Sequence, residues 1–156
     1  MRLRVIAVGT RMSAWVDAAV ADYTRRLRGA AALEFIEIPV ARRRGVGDAA
    51  RAIATEGERI LAQLSAREYA VALDERGRSF TTGQFSAWLA MRRQAGEPLS
   101  FIIGGPDGLG APVLARAQLH WSLSALTFPH ALVRVLLAEQ LYRAATVLAG
   151  HPYHRQ

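Results

Sequence analysis

The chain has neither cysteine nor lysine in its 156 residues. Without cysteine there are no disulfides, no thiolate nucleophile and no cysteine-ligated zinc, which suits a reducing compartment. Without lysine, all twenty basic residues are arginine; the matching excess of alanine points in part to codon preference, so the choice of arginine is not itself read as functional. Long apolar runs are missing too. Val5-Ile6-Ala7-Val8 is stopped by Gly9, too early for an export signal. The stretch from Leu132 to Leu148 is interrupted by Arg134, Glu139 and Arg143, which excludes a membrane span. There is no repeat, linker or low-complexity segment. The expectation is one cytoplasmic domain over residues 1–156, large enough to bury a real core.

What the chain does carry is charge of one sign. Its net charge of +7 attracts polyanions, and arginine forks bind phosphate through two parallel hydrogen bonds. Nucleic acid is therefore the favoured partner, although most single arginines need do no more than solubilise the surface.

Strand-like and helix-like segments alternate. Leu3–Val8 reads as a strand, and Trp15–Leu27 has a helical apolar stripe. Leu33–Ile38 is a second strand, and Asp48 can cap a helix to about Leu64. A third strand, Tyr69–Leu73, runs into the turn Asp74-Glu75-Arg76-Gly77, and Thr81 or Thr82 opens a helix that ends at Gly96. Leu99–Ile103 is the fourth strand, Pro112 suits the first turn of a short helix through Gln118, and His120–Leu123 could be a fifth strand. Pro129 starts a last helix whose apolar residues nearly encircle it. Such a helix is buried on most sides, either as a central helix of its own domain or against a second copy. The alternation predicts an α/β sandwich on a mostly parallel sheet.

Three segments could carry chemistry. Gly104-Gly105-Pro106-Asp107-Gly108 follows a strand directly, and its glycines let a ligand approach the main chain. Ligands of open α/β sheets sit beyond the carboxyl ends of strands, where Leu73, Gly104 and Ser122–Phe128 all fall. Ser122 to Pro129 offers backbone hydrogen-bonding groups between Leu123, Leu126 and Phe128, which suits a planar adenine. The end His151-Pro152-Tyr153-His154-Arg155 is either a frayed terminus or an RNA contact through stacking rings and arginine. A metal at His151 and His154 lacks further ligands, so none is expected. Arg42-Arg43-Arg44 reads as a mobile phosphate-attracting loop or a solvated one. Gly45-Val46-Gly47 fits a loose dinucleotide pattern, but its strand context and the ribose-binding acid are missing.

These residues, in this order, resemble the RlmH family of bacterial ribosomal RNA methyltransferases, within the SPOUT class. The likeness runs through Val5–Thr10, Glu37-Ile38-Pro39, Ala72-Leu73-Asp74, the glycine turn, Trp121–Thr127, Pro129-His130, Leu132–Val135, Glu139–Ala144 and the terminal His-Pro-Tyr-His-Arg. It implies a three-layer α/β/α sandwich with a mostly parallel five- to six-stranded sheet and a C-terminal trefoil knot. It implies methylation of N3 of a pseudouridine in large-subunit ribosomal RNA of the assembled ribosome, by a homodimer using S-adenosylmethionine. By position, Leu73, Gly104, Leu123, Ser124, Ala125, Leu126, Thr127 and Phe128 should contact that cofactor. Asp107 departs from the glutamate expected there. In the reaction Tyr153 is assigned to positioning the base, His154 to proton removal or base contact, and Arg143 or Arg155 to charge stabilisation. Two rivals are a non-catalytic knotted RNA-binding protein and a dinucleotide-dependent enzyme using Gly45-Val46-Gly47.

Overall fold

A computed structural model describes residues 1–155 apart from the side chain of His154. The elements run β1 (Arg2–Val8), α1 (Ala14–Leu27), β2 (Ala32–Ile38), α2 (Asp48–Leu61), β3 (Tyr69–Ser79) and α3 (Thr82–Ala95). They continue with β4 (Leu99–Ile103), α4 (Ala111–Arg116), β5 (Leu119–Ser122), α5 (His130–Leu148) and a 3-10 turn at Pro152–Arg155. The strands form one sheet in the order β2-β1-β4-β3-β5, every neighbour parallel.

Strand periodicity sorts the side chains into two cores. Leu3, Val5, Ala7, Val71, Leu99, Phe101 and Ile103 face α1, α3 and α5, with Leu27, Phe85, Trp88, Leu89, Leu137 and Leu141 against them. Ile6, Val8, Ala70 and Ile102 face the other way, onto Ile60 of α2 and Val113 of α4. A sheet covered on both faces needs strands apolar on both sides, and all five residues of β4 are buried. Local signals agree with the element ends. Thr81 and Gln84 form a reciprocal capping box on α3, which stops at Gly96 in a left-handed conformation. Helix α5 is wedged between α1 and α3. Its all-round apolar character is only partly used there: Leu132, Val135 and Leu136 stay half-buried, and Trp15 on α1 is 58% exposed.

Two features differ from the sequence reading: the N-cap of α2 is Gly47 and not Asp48, which opens the helix as its first residue, and β3 runs longer than expected. Asp74–Gly77 is not a turn that ends β3. The strand pairs with β5 as far as Leu73, bulges, and pairs again through Arg78 and Ser79. Gly77 permits this because its main chain lies against that of β5. A Cβ there would fall 2.5 Å from the carbonyl carbon of His120. The bulge pushes Asp74, Glu75 and Arg76 out over the carboxyl edge of the sheet.

Candidate active site

Because all strands are parallel, every strand-to-helix loop leaves from the same edge. The chain leaves β4 toward the face holding α4, whereas its neighbours β1 and β3 lead to α1 and α3 on the opposite face. Diverging exits open a crevice between them, the usual place for a ligand in an α/β sheet. A cavity of about 840 Å³ lies there. Its walls are the β3 bulge, the Gly104–Leu109 turn, the loop from Leu123 to Pro129, and His130 and Val133 at the start of α5. Trp121 forms part of its floor, stacked on Phe85 at 4.2 Å between ring centres.

Of the residues expected to contact a cofactor, Leu73, Gly104, Leu123, Ser124, Leu126, Thr127 and Phe128 line this cavity, and Ala125 does not. The loop holds its own shape. Ser122 Oγ donates to the Ser124 carbonyl at 2.9 Å, and the Leu126 N–H donates to Ser124 Oγ at 3.0 Å. That amide is therefore already engaged and is not among the free donors for an adenine edge. Thr127 Oγ1 donates to Glu75 at 3.2 Å, joining the loop to the bulge. Leu126 is an apolar side chain 71% exposed at the lip.

The glycine turn closes on itself through the Gly108 N–H and the Gly105 carbonyl, at 3.1 Å. A Cβ on Gly104 would meet the Gly108 carbonyl carbon at 2.8 Å, so a side chain there would open the turn. The Arg42-Arg43-Arg44 loop is not wholly solvated. Arg42 and Arg44 are exposed, but Arg43 reaches Asp107 of the glycine turn at 2.6 Å and buried Glu56 at 3.2 Å. Gly45-Val46-Gly47 lies outside the cavity, with Gly47 serving as the N-cap of α2.

Sequence reasoning missed His130 as a residue of the cavity wall and Arg134 as the buried charge beside it. Arg134 is buried and binds Glu37 at 2.8 Å, the Gly9 carbonyl at 2.7 Å and the Val8 carbonyl at 3.3 Å. His130 stands one helical turn before it and faces the cavity. Burial, and then the Arg134 charge, lower its pKa below the ordinary 6.5, so the imidazole is neutral at pH 7. The only sequence signal was position: a histidine opening a helix at a strand's carboxyl edge.

In the terminal segment Tyr153 packs on the domain, while His151, Pro152 and Arg155 are exposed. After α5, Gly150 takes a left-handed conformation, and the His151 and Gly150 amides bond back to Thr146 and Val147. This reversal lays Tyr153 on α5. Its ring is 4.6 Å from that of Tyr142, and its hydroxyl lies 3.3 Å from Glu139 and 3.5 Å from Tyr23. Burial, the Tyr23 hydroxyl and the Glu139 charge push the phenol pKa up, so it stays protonated. Arg143 pairs with Glu139 at 2.6 Å and places its guanidinium 5.0 Å from the Tyr153 ring centre. Arg155 is exposed, and the side chain of His154 lies outside the described residues. His130 and Arg143 are separated by about 20 Å of α5 at 1.5 Å per residue. The structure therefore groups Tyr153 with Arg143 but sets both apart from this chain's own cavity.

Among the described residues no three His, Cys, Asp or Glu side chains converge on a metal-sized site, and no helix is long and apolar enough to cross a membrane.

A family model described as "Predicted SPOUT methyltransferase" matches residues 1–154. The chain is 51% identical over its whole length to the ribosomal RNA large subunit methyltransferase H of Thioalkalivibrio sulfidiphilus, with all of both chains covered. It is 50% identical to the protein of the same name from Chromohalobacter salexigens, covering 99% of this chain and 100% of the relative. Among solved structures, a probable methyltransferase from Bordetella pertussis superposes with a TM-score of 0.54 at 18% identity, covering 92% of this chain and 93% of that one. A probable methylase family protein from Haemophilus influenzae gives 0.55 at 13% identity, covering 97% and 69%. These two carry the fold alone. With the family model spanning both the crevice and the α5 tail cluster, the chain belongs to the SPOUT methyltransferase family.

Proposed function

We propose that this protein, as a homodimer in the cytoplasm, methylates N3 of a pseudouridine in large-subunit ribosomal RNA of the assembled ribosome, using S-adenosylmethionine. The observation that carries the reading is the crevice itself. It joins a main-chain-lined glycine turn to apolar walls from Leu73, Leu123 and Leu126, with Asp74 and Glu75 at hand for a cationic ligand. S-adenosylmethionine fits that donor set, since it combines a planar base, a sulfonium and an ammonium. Held there, it supplies an electrophilic methyl carbon. The volume is within the range of small-molecule sites.

The rest is work for the chain's own side chains. The N3 proton must leave the base, and the neutral imidazole of His130 on the cavity wall is in the state to accept one. The Arg143 guanidinium, or that of Arg155, can stabilise negative charge on a base carbonyl, Tyr153 can hold the ring, and His154 can contact it or take the proton. Arg143 lies ten residues, about 15 Å along α5, beyond Val133 on the wall of this chain's own crevice, and Tyr153 packs beside Arg143. The reading therefore has the tail of a second copy reach it. Two observations support that dimer: the exposed Trp15 and the apolar face of α5 left half-buried. The knot implied by family membership belongs to the same proposal, as does a single domain spanning the chain.

The test is tritium transfer from labelled S-adenosylmethionine to ribosomes lacking the modification, beside ribosomes lacking pseudouridine. Label that requires pseudouridine is the expected result. Bound cofactor without transfer would overturn the substrate assignment, and no cofactor binding would overturn the reading as a whole.

A further inference from the structure

The glycine turn has little of its own to hold it. It is rich in glycine, the residue that loses most freedom on ordering, and α4 after it is only six residues long. Internally it has one hydrogen bond, from the Gly108 N–H to the Gly105 carbonyl. Its external hold comes from a loop more than sixty residues earlier. Arg43 Nε donates to Asp107 Oδ2 at 2.6 Å, while its two terminal nitrogens each reach a Glu56 oxygen at 3.2 Å. The same guanidinium donates to the Ala41 carbonyl at 2.9 Å, and the Ala41 N–H donates to Glu56 at 3.2 Å.

Glu56 sits on α2 and is 2% exposed. A buried carboxylate must be paired, so Arg43 is committed to that position. Gly105 lies directly over this pair, where a Cβ would meet Val8 at 2.9 Å and Glu56 at 3.3 Å. The bridge therefore runs from the second core, through an anchored arginine, to the one carboxylate of the turn.

We propose that Arg43 is a positioning residue for the cofactor turn: held by Glu56, it grips Asp107 and pre-orders the Gly104–Leu109 wall before ligand arrives. This gives Asp107 a role that needs its charge, and no direct contact with the reacting atoms. It uses the fixed fork of arginine, which serves two carboxylates at once, where a lysine ammonium would serve one point. Ordering the turn in advance lowers the entropy lost on binding. The consequence for affinity rests on the reading that S-adenosylmethionine binds in this crevice; the ordering of the turn does not.

The experiment uses the full-length, ligand-free protein and two readouts. Hydrogen–deuterium exchange follows residues 104–109, and titration calorimetry with S-adenosylmethionine gives Kd. Asp107→Asn is the principal variant, because it leaves the Arg43–Glu56 pair intact and so spares the fold. We expect faster exchange confined to 104–109 and a Kd weaker by up to roughly 10- to 150-fold, the loss of one charged hydrogen bond. Asp107→Glu should restore both. In an Arg43→Met background, Asp107→Asn should add no further loss, as expected for partners in one interaction.

Wild-type exchange in Asp107→Asn would overturn the proposal. So would an undiminished affinity loss from Asp107→Asn in the Arg43→Met background, which would put Asp107 on the cofactor itself. If the wild type fails to bind S-adenosylmethionine, the cofactor reading falls, and the exchange data still decide the bridge.

Discussion

Replacing Gly77 by alanine tests how the crevice is built. The added Cβ would lie 2.5 Å from the His120 carbonyl carbon, 2.6 Å from its oxygen and 2.7 Å from the Trp121 nitrogen. Ordinary contact begins near 3.4 Å, so β3 and β5 would have to separate by about 1 Å. All three atoms are main chain, and none can rotate away. The separation falls where β3 resumes its pairing with β5, at Arg78 with Trp121 and Ser79 with Ser122. Overpacking of this kind costs about 1–3 kcal/mol, and each weakened ladder bond about 1 kcal/mol. A total near 3 kcal/mol should lower Tm by roughly 6–12 °C in a domain of this size. Displacing the bulge also moves Asp74 to Arg76 away from the cavity, so cofactor affinity should fall with stability. Gly83→Ala is the control. That glycine lies in α3 with open space around it, and the change should cost nothing or stabilise by up to about 1 kcal/mol. Thermal unfolding by circular dichroism reads both. A Gly77→Ala protein that melts with the wild type would refute the close approach of β3 and β5.

Three further predictions follow from other parts of the molecule. Burial pushes the Glu68 carboxyl pKa up, but the Ser100 hydroxyl, the Ser65 N–H and Arg4 outweigh it and hold the value below the ordinary 4.5. The group's contribution is therefore full above pH 4.5 and lost as pH falls through the lower folded value. Glu68→Gln should cost about 2 kcal/mol at neutral pH, and its urea midpoint should converge on that of the wild type in acid. Arg134→Met removes a cation beside His130, so the imidazole pKa, followed by NMR, should rise toward 6.5; an unchanged value would mean that burial alone sets it. Deleting residues 151–156 should abolish methyl transfer and largely spare cofactor binding, since the tail packs on α5 away from this chain's own cavity. Retained turnover in that deletion would remove Tyr153, His154 and Arg155 from the mechanism.

The elements were legible in the chain because each has a local cause. The fully apolar Leu99–Ile103 has to lie in the middle of a doubly covered sheet, and it does. Thr81 through its capping box and Gly96 through its left-handed backbone set the ends of α3, and a glycine turn straight after a strand marks the crevice edge; at α2 the cap is Gly47 and not the expected Asp48, which is the first helical residue. Lining residues from Leu73 to Phe128 could be named because parallel strands deliver their loops to one edge. Other features depend on what lies opposite in space, about which periodicity is silent. Asp74–Gly77 has the composition of a turn, and only the β5 main chain against Gly77 makes it a bulge within a continuing strand. Arg43 sits in an arginine-rich loop like its neighbours, and only a buried Glu56 on one side and Asp107 on the other turn it inward. The neutral state of His130 comes from its burial and then from the Arg134 charge, and the separation of Arg143 from the cavity comes from the length of α5. The sequence alone determined which segments are strands, helices and glycine turns, because burial period and backbone preference are properties of short stretches. Only tertiary structure decided which charges meet and which walls close the crevice, because electrostatic and steric contacts act between residues the chain keeps far apart.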